Sequence, residues 1–470
     1  MKFALVLAVA AAMVFGAITL TRPASAQSAS PEVRIEAYIA GLSSGDASAF
    51  ERAARENLTP QLFATRTPEQ RAQVLARISG DFGRMEITNV TATNNEWRAA
   101  VRGSTGLSGT FVFAFEGAEQ RISRVSAEVR LGPGQDGPNV PPAPINSTMS
   151  ADEMRAAVGA WIQPFVAQDD FAGAVLIARD GAPYVALAYG PLDRERHIAA
   201  DTSTRYNIAS IGKRFTQTAV ARLIQEGRLS LATTIGDVIP DYPNTEGRPA
   251  TVEQLINMQG GIGDIFSDQR ESWGRSRLDS NHGYYEFVAS LPQRFTPGAQ
   301  TEYCNGCFVV LGEMIERISG MRFEDYVRSV VFEPAGMAHT AYDRTDRLPP
   351  NTAISYDRTN GPGSAYAAMT EREGVTGSGA GGLYSTTGDL LAFDNALRDG
   401  RLLNPQWTAW VLDGVVMDGR NTSPLDIRGG GPGASAAYTS NGRWAVFVTA
   451  NVQRPLPFQI SEAIARPLVQ

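Results

Sequence analysis

Lysine is almost missing from this chain. Of 42 lysines and arginines among 470 residues, only Lys2 and Lys213 are lysine. Histidine is nearly as scarce, with His197, His282 and His339 alone, and there are two cysteines. Two cysteines exclude a disulfide framework as the source of the fold. The three histidines form no metal-binding pair and leave little for a Ser-His-Asp mechanism, so each reads as a surface or loop residue. One Gly-x-Ser-x-Gly run exists, Gly41-Leu42-Ser43-Ser44-Gly45. A nucleophile elbow needs a strand before it and a helix after it. Here a helical pattern precedes, so Gly41 reads as a helix C-cap and the serines as loop. Apolar runs long enough to approach a membrane span occur once, over residues 3–20, behind Lys2 and ahead of Ala24-Ser25-Ala26. That is the layout of a secretory signal ending at residue 26, with an uncleaved anchor as the alternative. The body is then expected to be exported, periplasmic or secreted, with no span after signal removal. Losing the leader, which holds Lys2 and Arg22 and no acid, takes the net charge from −7 to −9. An acidic surface without basic clusters argues against nucleic acid as a partner.

Three stretches follow the leader. Residues 30–131 read as a small α+β domain. Val33, Ile35, Tyr38, Ile39 and Leu42 fall near helical spacing, and a second helix begins at Thr67-Pro68. From Met85 the period falls to two, and strands are expected over 85–88, 97–101, 110–115 and 121–129. In outline this resembles the cone-shaped domains of the nuclear transport factor type. It holds no catalytic constellation and reads as an accessory or docking module. Residues 132–146 are rich in proline and glycine and read as a linker.

Residues 147–470 read as a second domain. Ser150 and Glu153 form a capping box, and a hairpin is expected over 174–178 and 184–189 around Arg179-Asp180-Gly181. Ser210 then opens a helix whose Ile211, Phe215, Ala219, Val220, Leu223 and Ile224 lie on one stripe. Helical segments are expected over 251–258, 283–290 and 305–318, a second hairpin over 434–440 and 443–451, and a closing helix over 460–469. Strands at both ends with helices between them predict one antiparallel sheet assembled from distant sequence.

The lone lysine outside the leader is the residue to explain. Guanidinium stays protonated in proteins, whereas an amine can be deprotonated by burial. Lysine among arginines therefore marks a place where a proton must come off. Ser210 stands three residues earlier, and residues three apart in a first helical turn share a face. The free amides and positive end of that helix favour negative charge on the serine oxygen. A neutral amine beside a hydroxyl is a base beside a nucleophile. The competing reading is a capping serine and a surface lysine.

Later motifs carry a resemblance. Ser210-x-x-Lys213 is followed by Phe295-Thr296-Pro297-Gly298, by Tyr303-Cys304-Asn305 opening a helix, and by Gly381-Gly382-Leu383-Tyr384-Ser385. In order and spacing this resembles the serine β-lactamase and penicillin-binding-protein-like superfamily, over essentially all of 150–470. The branch is that of class C β-lactamases, D-alanyl-D-alanine carboxypeptidases and related esterases. The resemblance implies Ser210 as acylated nucleophile and Lys213 as its base. It implies Tyr303 as proton relay to the leaving group, and Asn305 as the residue holding Lys213 and the substrate amide. It also implies an oxyanion hole of two backbone amides, one from Ser210 and one from the strand after Gly433. Tyr303 otherwise reads as a helix-flanking aromatic and Asn305 as a helix cap.

Two departures bear on substrate. The third family motif, usually Lys-Thr-Gly or His-x-Gly, is represented only by Arg428-Gly429-Gly430, expected to bind substrate. Arg428 would anchor a carboxylate bidentately without shuttling a proton, or else stand as a loop arginine. Asn257-Met258-Gln259-Gly260-Gly261 stands where relatives often carry His-Thr-Ser-Gly. Cys304 and Cys307 could close a small disulfide in an oxidising compartment; the preferred reading is two small buried residues at a helix start.

The expectation is an α+β fold, an antiparallel sheet flanked by helices with a helical subdomain, preceded by the small α+β domain. The function expected is that of an exported serine hydrolase, without cofactor or metal, acting on an ester or amide. A cell-wall D-Ala peptide, a β-lactam or a small ester would serve as substrate. The alternative is a retired cleft that binds cell-wall peptides or another partner through Arg428.

Overall fold

The computed structural model describes residues 29–469 apart from 65–66, 94–95, 105–107, 129–139, 268, 359–364, 371–373, 413–424 and 454. The leader and much of the linker lie outside the described residues. Two compact units divide the chain, Met1–Asp136 and Gly137–Gln470.

In the first unit, helices α1 (Pro31–Ser43), α2 (Ala47–Asn57) and α3 (Pro68–Phe82) precede an antiparallel meander. Its strands are β1 (Met85–Thr93), β2 (Glu96–Gly103), β3 (Ser108–Glu116) and β4 (Arg121–Glu128), paired in sequence order. Tyr38, Phe50, Phe82, Phe111, Phe113 and Ile122 fill the core between helices and sheet. Helix α2 escapes the apolar pattern because only Phe50 and Ala54 of its apolar positions are buried; Asp46 caps it, accepting from Ala49 N at 2.7 Å. Gly41 is not a C-cap: α1 runs through it to Ser43, and the left-handed residue past the helix is Gly45 at φ 66°. Since a helix precedes Ser43, no elbow forms there.

The second unit opens with α4 (Ala151–Ala167), whose start carries the Ser150–Glu153 capping box. In chain order follow β5 (Gly173–Arg179), β6 (Ala182–Tyr189), α5 (Gly212–Gln225), α6 (Asn281–Ser290), α7 (Asn305–Ser319) and α8 (Thr387–Arg398). The last elements are β7 (Leu425–Gly431), β8 (Ala434–Ser440), β9 (Trp444–Ala450) and α9 (Leu456–Val469). One antiparallel sheet results, in the order β7-β8-β9-β5-β6. The two ends of the domain meet where β9 pairs with β5, from Trp444 opposite Arg179 to Ala450 opposite Gly173.

Side chains alternate across the sheet. Val175, Ile177, Val446 and Val448 pack with Met154, Val158 and Ile162 of α4 and with Ile460 and Ile464 of α9. Leu176, Ala178, Ala436, Tyr438 and Phe447 face the other way, towards α5, α7 and α8. The mixed helix and antiparallel sheet content is the α+β class expected.

Helix α5 differs from its sequence pattern in one respect. The apolar stripe predicts a helix half open to water, yet every residue from Gly212 to Ala221 is buried. Its polar side chains are each satisfied inside the protein. Thr216 donates to Gly379 O at 2.7 Å and Thr218 to Arg214 O at 2.8 Å, and Arg214 bonds Gln217 and the Val411 carbonyl. Phe215 anchors the helix edge-to-face against Phe332 and Phe393, at 5.2 and 4.9 Å between ring centres. Phe215→Ala is expected to cost about 3–5 kcal/mol in urea unfolding of the second unit.

Helix α7 carries a buried carboxylate group behind its N-terminal turn. Glu313 accepts from Arg317 Nε at 2.9 Å and lies 2.9 Å from His282 Nδ1 on α6, tying the two helices. Burial pushes the neighbouring Glu316 carboxyl up from 4.5 to about 7, although the Phe323 amide it accepts from works against this. A carboxyl raised in the folded protein holds a proton that the unfolded chain has released, so stability falls as pH rises through this window. Urea-unfolding free energy is expected to decline between pH 5 and pH 8, and Glu316→Gln to flatten the decline.

Candidate active site

Ser210 lies on a turn wedged between a two-residue strand and α5. Tyr206-Asn207 pairs with Tyr384-Ser385, and Ile208 N donates to Leu383 O at 3.0 Å. The chain then reverses at Ala209, a non-glycine residue with φ 45°, whose amide is held by Asn207 Oδ1 at 2.9 Å. A left-handed alanine costs on the order of 1–3 kcal/mol and persists where its surroundings enforce it. A single 3-10 turn, Ala209–Ile211, feeds into α5. Ser210 thus stands at a helix start, free of the capping duty that sequence allowed it.

Lys213, one turn on, is 2% exposed. Its Nζ lies 3.2 Å from Ser210 Oγ, 2.8 Å from Asn305 Oδ1 and 2.7 Å from Ala380 O. Among the described residues it makes no ion pair. It is a core amine among oxygen acceptors, the opposite of a surface lysine. Tyr303 lies beside both groups, its hydroxyl 2.7 Å from Ser210 Oγ and its ring 5.0 Å from Lys213 Nζ. The tyrosine is 40% exposed, so the serine and phenol open to solvent while the amine does not. Asn305, the first residue of α7, completes the group, and its Nδ2 donates to Asp264 at 3.1 Å. Four side chains from two helix starts and one preceding loop therefore converge.

Cys304 and Cys307 are joined in a disulfide, which corrects the preferred reading of two free buried residues. The spacing of three places both sulfurs in the first turn of α7, where Cys304 Sγ also accepts from Cys307 N at 3.0 Å. The link brackets Asn305 and follows Tyr303 directly. The strand whose backbone meets Ser210 is β7, which precedes Gly433 instead of following it. A β-carbon on Gly429 would stand 2.4 Å from Ile208 O and 2.9 Å from Ser210 N, so only glycine fits against the turn.

Arg428 is not brought to the serine. Alternation along β7 puts Ile427 and Gly429 on the Ser210 side, with Ile427 4% exposed in the same core as Ile208 and Ile211. Arg428 and Gly430 take the other side. There the guanidinium reaches Asp426 at 3.3 Å and Glu462 of α9 at 3.7 Å, and lies 5.9 Å over Phe458. The histidines are placed elsewhere: His197 exposed in a turn, His339 exposed beside Asp389, His282 against Glu313. His282, Glu313 and Glu316 bring possible ligand atoms within 4.8 Å of one another, with Glu313 already engaged by His282 and Arg317.

Two participants were not anticipated from sequence. Ala380 acts through its carbonyl, for which no side chain gives a signal. Asp264 is one acid in a loop, and nothing in its neighbours ties it to Asn305. Two predictions follow from this geometry. The peptide 295–317 of a tryptic digest is expected to resist iodoacetamide until reduced; full alkylation without reductant would show free thiols. Gly429→Ala is expected to displace the Ser210 turn, lowering the melting temperature and blocking any reaction at that serine.

A Beta-lactamase family model matches residues 158–457. Protein flp of Staphylococcus aureus (strain NCTC 8325 / PS 47) is 29% identical over 188 residues, 39% of this chain and 37% of that protein. The chain thus spans little over a third of that relative's length. Among solved structures, a penicillin binding protein from Bacillus halodurans aligns with a TM-score of 0.59 at 25% identity, over 66% of this chain and 99% of that one. A D-stereospecific amidohydrolase from Streptomyces sp. shares the fold, with a TM-score of 0.54 at 23% identity over 66% of this chain and 98% of that one. The family match runs from within α4 to the start of α9 and so takes in the whole sheet and the Ser210 turn; the chain belongs to the Beta-lactamase family.

Proposed function

We propose that the second unit hydrolyses an ester or amide through an acyl-enzyme on Ser210. The observation that carries this reading is the placement of Ser210 Oγ between Lys213 Nζ and the Tyr303 hydroxyl, at 3.2 and 2.7 Å. A neutral amine has two hydrogens and one lone pair. Two hydrogens suit the Asn305 and Ala380 oxygens, which leaves the lone pair for the hydroxyl proton of Ser210. The serine oxygen attacks the substrate carbonyl, and its proton passes to Lys213. The resulting oxyanion lies near Ser210 N and the edge of β7, where backbone donors stabilise it. Tyr303 hands a proton to the leaving group as the carbonyl re-forms, and is restored through Lys213. Water then attacks the ester bond to Ser210 with the same groups as base and acid.

The β7 side chains turned towards the Ser210 turn, Ile427 and Gly429, bring no charge to it. A carboxylate on the leaving group, as in a penicillin or a D-Ala-terminated peptide, finds no Arg428 there, because that arginine is engaged with Asp426 and Glu462. The reading therefore favours esters or amides that are uncharged on that side, in keeping with an amidohydrolase among the similar folds. Binding by a retired cleft through Arg428 loses its anchor for the same reason. Residues 1–26 support action outside the cytoplasm, and the first unit, with no comparable constellation among its described residues, supports an accessory role.

A fluorophosphonate probe is expected to label Ser210 in the full chain, and Ser210→Ala to abolish the adduct. Lys213→Arg is expected to lower the labelling rate about 10²- to 10⁴-fold with the circular dichroism spectrum unchanged. In a panel of p-nitrophenyl esters, neutral D-amino acid amides, D-alanyl peptides and a chromogenic cephalosporin, turnover is expected for the uncharged substrates first. Folded protein that takes no label overturns the acyl-enzyme.

A further inference from the structure

The orientation of one amide decides whether Lys213 can serve Ser210. An asparagine can turn either its oxygen or its NH2 towards a neighbour, since the two ends have nearly the same shape. If the NH2 of Asn305 faced Lys213, its hydrogens would take the amine's lone pair, and the amine would lose one of the two acceptors that leave that lone pair for the serine. Lys213 cannot select the orientation alone, because an amine can donate or accept. Asn305 is 6% exposed, so water does not compensate for a wrong choice.

We propose that Asp264 makes that choice, as a positioning residue for the acylation step; the inference rests on the acyl-enzyme reading above. An ionised carboxylate only accepts. Asp264 Oδ2 and Oδ1 lie 3.1 and 3.4 Å from Asn305 Nδ2, so the NH2 end is claimed and Oδ1 is left facing Lys213 Nζ at 2.8 Å. Reversing the amide would set its oxygen against the carboxylate, losing that hydrogen bond, and would turn its hydrogens to the amine, taking the lone pair that Ser210 needs. The carboxylate is itself held in place: Oδ1 accepts from Phe266 N at 2.9 Å, and the backbone carbonyl accepts from Ser267 N at 3.1 Å. The loop is seated on the start of α7, where the Gly263 carbonyl comes so near Gly306 that a β-carbon there would be 2.0 Å away. A relay runs from Asp264 through Asn305 to Lys213 and Ser210, in which the first member touches neither the substrate nor the reacting atoms.

Asp264→Asn is the informative change. It keeps an oxygen for Phe266 N while replacing the acceptor-only group with one that both donates and accepts, so the Asn305 amide is no longer fixed. The fluorophosphonate labelling rate, and kcat on whichever ester is turned over, are expected to fall about 10- to 100-fold with KM within about twofold. In an Asn305→Ala background the same substitution is expected to have no further effect, because its target is gone. Asp264→Glu, which restores an acceptor-only group, is expected to recover most of the rate; if Asp264→Asn folds poorly, Asp264→Ala, which removes the acceptor outright, is read in its place with the same expected loss. Undiminished labelling in folded Asp264→Asn, an Asp264→Glu protein as slow as Asp264→Asn, or a loss repeated in full on top of Asn305→Ala overturns the relay while leaving the acyl-enzyme standing. Absence of label in the wild type overturns both.

Discussion

The arrangement depends on keeping one amine dry and, among the described residues, without a counter-charge. Lys213 is enclosed by α5, α7 and the loop ending at Ala380, and its neighbours are a hydroxyl, an amide oxygen and a backbone carbonyl. A buried polar head group is costly unless its hydrogen bonds are met, and here three oxygens meet them. The burial of α5 from Gly212 to Ala221, the edge-to-face rings around Phe215 and the glycine-only approach of β7 all serve this enclosure. Each brings backbone or carbon up to the helix start where a looser fold would admit water.

The same constraint explains the division of labour across β7. One face of the strand closes the serine pocket and carries Ile427 and Gly429, where bulk or charge would disturb the turn. The other face looks to α9 and carries Arg428, which joins Asp426, Glu462 and Phe458 in a surface cluster of modest energetic value. A cation one residue away from the cleft in sequence is thereby a full sheet thickness away in function.

Much of this was legible in the chain. Ser210 and Lys213 stood out because lysine is so rare, and the sheet was readable from apolar alternation at 174–189 and 434–451. What stayed hidden shares a physical character. The burial of α5 on every side depends on polar residues finding partners far away in sequence, such as Thr216 with Gly379, which periodicity does not encode. The facing of Arg428 depends on strand phase, and a run of three glycines leaves phase unmarked. Whether Cys304 and Cys307 join is decided by a helical turn bringing them together, while the pattern of two small residues suits either state. Ala380 contributes a carbonyl that every residue type possesses. Asp264 matters only through the amide it meets.

The pairing of β5 with β9 has a consequence for when the chain becomes reactive. Partners such as Gly173 and Ala450 are far apart in sequence, and such contacts form late because loop-closure entropy must first be overcome. The Ser210 turn is pressed into shape by Gly429 and by Leu383, both of which are synthesised long after it. A chain still emerging from the ribosome holds the serine and the lysine yet lacks the walls that bring them together. The reactivity proposed for Ser210 is thus a property of the completed chain.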